Sequence, residues 1–248
     1  MRSVTLTLTG RENDFTTFHD PIIKLQENRE YEAALLSIDM YYSFPNITNE
    51  NNKFKYSTDD GHTWKTITLD TGSYELMHIN DEIQRQMINN RDYNEGTEEY
   101  YVTITANRSK LKSIVIITNP SYKVDFGVEN SIGQILGFSS SIISYGYNES
   151  ETIVDIMKIN SVLINIDMIS GSYVNGRQSS VIYSFFPNVS PGHKIVERPN
   201  PLPIYYPVHK HHINDVRVWI TDQDGKPIDL RGERVTLKIQ IKEVKNNL

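Results

Sequence analysis

Apolar and polar residues alternate with a period of two over long stretches of this chain, and that alternation is typical of β-strands with one buried face. Near the N-terminus it predicts strands over residues 4–8 and, with many β-branched and aromatic residues, over residues 32–44. Towards the C-terminus it predicts strands over residues 162–168, 216–220 and 235–241. Both ends of the chain are therefore predicted to be rich in strands.

The pattern changes between residues 49 and 150. An Asp-Gly pair at residues 60–61 lies between two strand-like runs and predicts a hairpin, because glycine tolerates the positive φ of such turns. Asn80 and Asp81 can cap the start of a helix predicted from five apolar residues at helical spacing: Leu76, Ile79, Ile83, Met87 and Ile88. Two more strands follow, and ENSIGQILGF predicts a short helix that ends at Gly137. The order is ββαββα.

These patterns predict a mainly β protein of two domains. Short strands separated by turn signals favour a sandwich or barrel over a parallel sheet. The two flanks supply enough strands for a jelly-roll β-sandwich, which has two packed sheets. We predict that residues 1–48 plus 151–248 form this jelly roll and that residues 49–150 form an inserted α+β domain.

Proline is concentrated in one segment of the C-terminal half. Six of the ten prolines lie between Pro187 and Pro207, directly after the strand-like run SSVIYSFF. Proline has no backbone N–H to donate to a sheet ladder, so this segment is predicted to be an edge or a crossing loop. Proline at an edge also hinders pairing with stray chains.

Composition narrows the classes of function. The net charge of −6 and the pI near 5.7 argue against a general nucleic-acid coat, which carries a basic surface. The absence of cysteine excludes thiolate metal sites and disulfides, and it favours assembly in a reducing compartment. No apolar run reaches the roughly 20 residues that cross a bilayer, and no signal peptide is recognised at the N-terminus. We expect no membrane span.

Two clusters raise the possibility of metal binding. His209, His211 and His212 could bind a metal from one face of a strand, as in some jelly-roll enzymes. Such sites also need a carboxylate a few residues on and a distant third histidine; no Glu follows until Glu233, so a polar loop is favoured. Asp-Gln-Asp-Gly at residues 222–225 resembles the opening of a calcium loop, but its glycine comes too early, and a hairpin turn is favoured.

Catalytic motifs are not found. The chain has no G-x-S-x-G elbow, no phosphate-binding loop and no dinucleotide fingerprint. We therefore predict that the protein is not an enzyme and has no catalytic, cofactor-binding or metal-binding residues.

Four phrases, taken together and in order, resemble the penton (minor capsid) protein of Polinton/Maverick elements and the related adintoviruses. The likeness covers most of residues 33–242, and its most specific part runs from Y-S-F-x-P-x-V-x-P-G to D-Q-D-G-x-x-x-D-x-R-G-E. The phrases are FKYSTDDGHTWKTITLDTGSYELMHINDEIQ, VDFGVENSIGQILGF, INIDMISGSYVNGRQSSVIYSFFPNVSPGHKIVERPNPLPIYYPV and VWITDQDGKPIDLRGERVTLKIQIKE.

The resemblance implies a structural capsid protein. Such pentons are expected to form homopentamers at the five-fold vertices of an icosahedral shell, beside a major capsid protein with a double jelly roll. At 248 residues this chain is too short to be that major protein. The resemblance places the protein in the virion, assembled inside the host cell, and it supplies no catalytic residues.

A closed ring requires one patch of each copy to meet a different patch on the next. We predict that five aromatic residues divide between the core and this subunit contact: Tyr183, Phe185, Phe186, Tyr205 and Tyr206. The stretch up to about Asn28 is either an arm that reaches a neighbour or the shell interior, or the first strand and its loop. The insertion could bind a host receptor.

A different class of function stays open. The chain could be a β-sandwich module that binds a receptor or a glycan as a monomer or trimer. The oligomeric state separates this alternative from a penton, and metal analysis separates both from a metal-dependent enzyme.

Overall fold

The fold is given by a computed structural model, which describes residues 3–97, 99–139, 142–199 and 201–244. The two ends of the predicted jelly-roll domain, residues 1–2 and 245–248, lie outside the described residues. In chain order the elements are β1 (Ser3–Gly10), β2 (Asp14–Lys24), β3 (Tyr31–Tyr41), β4 (Lys53–Ser57), β5 (Lys65–Thr68), α1 (Leu76–Asn89), β6 (Val102–Asn107), β7 (Lys112–Ile117), β8 (Lys123–Asp125), α2 (Gly133–Leu136), β9 (Ile142–Ile143), β10 (Gly146–Glu149), β11 (Val162–Ile166), β12 (Ser172–Val174), β13 (Arg177–Ser179), β14 (Val181–Phe185), β15 (Lys194–Glu197), β16 (Tyr206–Pro207), β17 (His212–Thr221) and β18 (Val235–Glu243).

The chain divides into two compact units. Residues 1–44 and 159–248 form the first, which we call the sandwich unit, and residues 45–158 form the second, the α+β unit. The boundaries lie close to the predicted ones at 48/49 and 150/151. That the α+β unit is an insertion able to fold by itself stays a prediction.

The sandwich unit is a jelly roll. One sheet has the order β1-β18-β3-β15, with β16 also paired to β3, and the other has the order β14-β11-β17-β2. Apart from the short β16, these sheets contain eight strands: β1, β2, β3, β11, β14, β15, β17 and β18. When these eight are renumbered 1 to 8 along the chain, the two orders become 1-8-3-6 and 5-4-7-2. Two interlocked Greek keys produce this order, which defines the jelly roll. The predicted fold class is confirmed.

Apolar side chains at every second position of the strands fill the space between the two sheets. On β17, Val216, Val218 and Ile220 are buried in this core. On β18 the four predicted apolar positions are buried in the same core: Val235, Leu237, Ile239 and Ile241. Each buried aliphatic side chain of this kind contributes roughly 1.5–3 kcal/mol through removal from water. The central strands therefore stabilise the sandwich most.

The N-terminal stretch is not an arm over residues 3–24, so that interpretation is wrong there. β1 pairs with β18 along its whole length, and β2, which lies in the stretch predicted to be an arm or a loop, pairs with β17. The inward positions of β2 carry Phe15, Thr17 and His19, all half-buried. Because two of these three are polar, the strand shows no apolar period of two.

The α+β unit has a core of its own. Its sheets have the orders β5-β4-β8-β9 and β10-β7-β6, and its buried residues include Phe54, Tyr56, Ile79 and Ile83. β8, β9 and β10 were not predicted, so the unit has more strands than ββαββα.

The helix α1 begins earlier than predicted. It starts after Glu75, whose backbone N–H donates to Nδ1 of His78, rather than at Asn80 and Asp81. The side chain of Asn80 instead accepts a hydrogen bond from the backbone N–H of Ile104 at 2.7 Å, which joins the helix to β6.

Both ends of the α+β unit are held together by one side chain. The Asn46 amide donates to the carbonyl oxygens of Tyr74 (2.7 Å) and Ile156 (3.0 Å), and its oxygen accepts from the N–H of Tyr74 at 2.8 Å. We call this arrangement the Asn46 clasp. Because all three bonds satisfy backbone groups, it fixes the first and last residues of the unit to one another.

The predicted hairpin between β4 and β5 is organised by a carboxylate. Asp60 and Gly61 both have positive φ (60° and 91°), as the turn requires. Asp59 accepts hydrogen bonds from the hydroxyl of Ser57 (2.7 Å) and from the backbone N–H (2.8 Å) and hydroxyl (2.6 Å) of Thr63. These donors, Thr63 above all, hold the pKa of Asp59 well below its usual range.

The lowered pKa of Asp59 predicts a pH-dependent stability. A carboxyl whose folded pKa lies below its unfolded pKa stabilises the fold above the unfolded value, near 4, and this contribution is lost as the pH falls towards the folded pKa. We expect Asp59→Asn to lower the melting temperature at pH 7 and the difference from wild type to shrink below about pH 4. Glu95→Gln, an exposed change in the same unit, is the control. An equal deficit at pH 7 and pH 3 would contradict the role of the charge.

Candidate assembly interface

A jelly roll has two open sides, where the outermost strands of its sheets lack one neighbour. β1 and β2 are the outermost strands on one side and contact each other, while β14 and β15 are outermost on the other. We call them the β1–β2 side and the β14–β15 side. Open strand edges attract other chains unless they are protected, so the residues on these two sides decide what the sandwich can associate with.

The β1–β2 side presents a bulge. Phe18 of β2 is opposite Asp215 of β17, whereas Ile23 is opposite Ile213, so four residues of β2 face only one residue of its neighbour. Bulges interrupt the ladder and redirect side chains. Here Phe18 is 80% exposed and Ile22 is 45% exposed. The bulge therefore displays apolar side chains on an edge that cannot extend the sheet.

The start of β2 is anchored beside this bulge. The Arg217 guanidinium of β17 donates two hydrogen bonds to Asp14, one of them from Nε at 2.8 Å. This contact lowers the pKa of Asp14 below its ordinary value. Both side chains are exposed, so the pair contributes little to stability, but it fixes the position of the strand.

The β14–β15 side carries the proline-rich segment. β15 pairs with β3 near residues 38–41, and β16 pairs with the same edge of β3 near residues 32–33. The proline-rich segment is therefore paired at this edge both before and after its run of prolines, in agreement with the predicted edge position. Three large apolar side chains are exposed on this side: Val196, Leu202 and Ile204. Leu202 is the most exposed of them, at 75%.

Three of the five predicted interface residues lie on or just after β14. Phe185 is buried in the core, Tyr183 is half-buried and stacks on it with ring centroids 6.2 Å apart, and Phe186 is exposed. Burial, and then the nearby charge of Glu197, raise the pKa of Tyr183. Burial likewise raises the pKa of Glu197. This side thus includes a carboxyl that is only partly in contact with water.

The other two predicted residues adjoin β16. Tyr205 donates a hydrogen bond from its hydroxyl to Oε1 of Gln240 at 2.7 Å, and the Lys242 ammonium lies 3.4 Å from its ring centroid. Tyr206 pairs with Ala33 and packs partly against the core. Tyr205 is therefore fixed to the sandwich. The division of the five aromatic residues between core and subunit contact stays a prediction.

Sequence reasoning did not single out the most exposed apolar residues of the two sides. Phe18 and Ile22 lie in the stretch predicted to be an arm or a loop, and Leu202 lies in the proline-rich segment, which was predicted only to be an edge or a crossing loop. In a sequence, the buried face of a strand is recognised because apolar residues occupy every second position. In β2 the exposed positions include Phe18 and Ile22, so the pattern does not show which face is buried.

The two clusters that were considered for metal binding do not come together as a set of ligands. No group of three His, Asp or Glu side chains that could hold an ion lies within the described parts of the chain. The backbone N–H of His209 donates to Met168, and His212 begins β17. Asp222 accepts the backbone N–H groups of Asp224 (2.9 Å) and Lys226 (2.8 Å), so its carboxylate organises the turn that was favoured for this segment.

Among the described residues, no helix has both the length and the apolar composition that a membrane crossing requires.

The strand order of the sandwich unit defines a jelly-roll protein. A comparison with solved structures confirms the predicted likeness to penton proteins at the level of the fold. Among solved structures, the chain is similar to the mavirus penton protein, with a TM-score of 0.53 and 11% sequence identity. The match covers 98% of this chain and 100% of that chain. A likeness to Polinton/Maverick and adintovirus pentons in particular stays a prediction.

Other comparisons add no family. The flagellar cap protein FliD of Escherichia coli aligns over 98% of this chain and 56% of that chain, at 9% identity and a TM-score of 0.15, which is too low to support an argument. No protein-family model and no curated protein matches the sequence.

Proposed function

We propose that the protein is a structural capsid subunit, a penton that forms homopentamers at the five-fold vertices of an icosahedral shell. The observation that carries this proposal is the jelly roll combined with a likeness to the mavirus penton that covers both chains almost completely. The resemblance of the four sequence phrases to penton proteins supports it independently.

The two open sides suit such an assembly. A ring grows by heterologous contacts, in which two different patches of one copy meet the complementary patches of its neighbours, until the rotation closes. The β1–β2 side and the β14–β15 side differ in sequence and shape, and both carry exposed apolar residues. The function therefore rests on contact surfaces and includes no catalytic step.

The partners follow from the same proposal. The pentamer would adjoin a major capsid protein with a double jelly roll, inside the virion, after assembly within the host cell. Neither a cofactor nor a specific nucleic acid is part of this function.

A second function, receptor or glycan binding, is favoured by one feature of the α+β unit. Tyr145 and Tyr147, on either side of Gly146, are both largely exposed at the start of β10. The Asn148 amide donates to the carbonyl oxygens of Ser144 (2.9 Å) and Gly146 (3.2 Å), which fixes the backbone beneath them. Rigid tyrosines supply contact area at low entropic cost.

A mass measurement tests the proposed assembly. Purified full-length protein should show, by native mass spectrometry, a species of about five times the 28.6 kDa chain mass, and negative-stain images should show five-fold rings. The expected reason is burial of the exposed apolar side chains of both open sides. A stable monomer at high micromolar concentration in several buffers would contradict the penton, and a trimer would favour the binding module.

A further inference from the structure

We infer that the contact between neighbouring copies joins the β2 bulge of one copy to β15 and the proline-rich segment of the next. This inference rests on the proposed ring and specifies its interface. The occupant of each open side is therefore a second copy of this chain, and the contact is made by side chains rather than by continuous strand pairing.

The first argument is the distribution of exposed apolar residues. Phe18 and Ile22 lie on the β1–β2 side, and Val196, Leu202 and Ile204 lie on the β14–β15 side. The strand order places these two groups at opposite ends of the sheets. One group therefore cannot cover the other within a single copy, but it can cover the other on a neighbour. Clusters of exposed apolar side chains of this kind mark contact sites.

Charge gives the second argument. The exposed residues of the bulge include Phe18, Asp20 and Ile22, in which an acid lies between two apolar residues along the chain. On β15 the outward row reads Lys194 and Val196 and continues to Arg198, an apolar residue between two bases. The described residues show no ion pair for Asp20, Lys194 or Arg198 within the chain. The two groups of residues are thus complementary in both polarity and charge.

The same charges disfavour a symmetric contact. If two bulges met, Asp20 would face a second Asp20, and if two β15 strands met, the bases at positions 194 and 198 would face each other. Like charges across an interface disfavour the wrong pairing. The interrupted ladder of β2 and the prolines beyond β15 also prevent edge-to-edge pairing. The contact is consequently heterologous, as a ring requires.

Cysteine cross-linking tests this geometry, because the natural chain contains no cysteine. We expect Phe18→Cys combined with Leu202→Cys in one chain to give, after treatment with a short bismaleimide, a covalent ladder up to the closed ring on a denaturing gel. Each single variant should remain monomeric on the gel. A mixture of the two single variants, assembled together, should give covalent dimers only.

A matched pair controls for chance encounters. Leu111 is 66% exposed and belongs to the α+β unit rather than to either open side of the sandwich. Phe18→Cys combined with Leu111→Cys should give no ladder. Cross-linking of the control pair to the same extent, or of Phe18→Cys alone, would overturn the inference, because it would indicate random or symmetric contact.

Charge reversal provides an independent measurement. Asp20→Arg, and separately the pair Lys194→Glu and Arg198→Glu, should each weaken self-association by more than about tenfold, and the three changes together should restore it. Leu111→Asp, an exposed apolar position in the α+β unit, is the control and should leave assembly unchanged. Wild-type rings unaffected by any reversal would overturn the interface but leave the penton intact. A wild-type monomer would overturn both.

Discussion

Replacement of residues 45–158 by a short Gly-Ser linker is expected to leave a soluble, folded β-protein. The reason is that the sandwich is complete without them. Its strands pair only with strands of the same unit, and its buried core is drawn from residues 6–44 and 162–241. Far-UV circular dichroism should retain the β signal and lose the contribution of α1, and chemical unfolding should remain a single cooperative transition.

A second deletion controls for the loss of any large segment. Removal of β2 (Asp14–Lys24), a much shorter piece, should abolish folding, because it takes one strand from a sheet and uncovers β17. A shortened protein that never folds while the full chain does would refute the separate-domain prediction. The excised segment, residues 45–158, is expected to fold by itself on account of its own core and the Asn46 clasp.

Gly137→Ala is expected to destabilise the α+β unit by about 3 kcal/mol or more. Gly137 ends α2 with φ near 80°, a conformation that a side chain disfavours. An added Cβ would also overlap the backbone carbonyl oxygen of Thr152 and lie 3.0 Å from that of Ile153. Because backbone atoms cannot rotate away, the segment that follows β10 would have to shift. Urea unfolding followed by circular dichroism measures the loss.

The matched control for this substitution is Gly61→Ala. Gly61 has a similar positive φ of 91°, but an added Cβ there would make only ordinary contacts, at 3.6 Å, with Trp64 and Lys123. We expect a loss of only about 1–2 kcal/mol, the conformational part alone. Equal losses for the two variants would show that crowding against Thr152 is unimportant.

The central strands of the sandwich could be predicted from sequence because burial imposes a regular pattern on them. β17 and β18 have neighbours on both edges and the core on one face, so each apolar row is uninterrupted. β2 has one neighbour and a bulge, and its inward row is partly polar. An edge strand of this kind is recognised only when the strand order is known.

The start of α1 was mispredicted for a local reason. Asn80 and Asp81 resemble capping residues, yet the side chain of Asn80 satisfies the N–H of Ile104 on β6 instead. The hydrogen bond between Asn80 and Ile104 thus forms in place of a capping hydrogen bond within the helix. Capping preference is only a prior when the residue can reach a neighbouring strand.

The candidate interface was predictable only in part. Proline content indicated correctly that the segment before Pro207 lies at an edge, since that inference depends only on a missing N–H. Which aromatic residues point outward depends on the packing of both sheets. Tyr205, for example, has its ring against Lys242 and its hydroxyl on Gln240, two positions more than thirty residues away along the chain.

The Asn46 clasp also has a practical consequence. When the first and last residues of an inserted segment are hydrogen-bonded to one another, the segment connects its two flanking strands over a short distance, as a tight turn does, whatever its length. Closing a flexible loop costs only about 0.6 kcal/mol more for each doubling of its length, and a clasped segment avoids even that penalty. The connection between β3 and β11 is thus suited to grafting: a foreign domain with adjoining ends could be carried there as cargo while the jelly roll beneath stays unchanged.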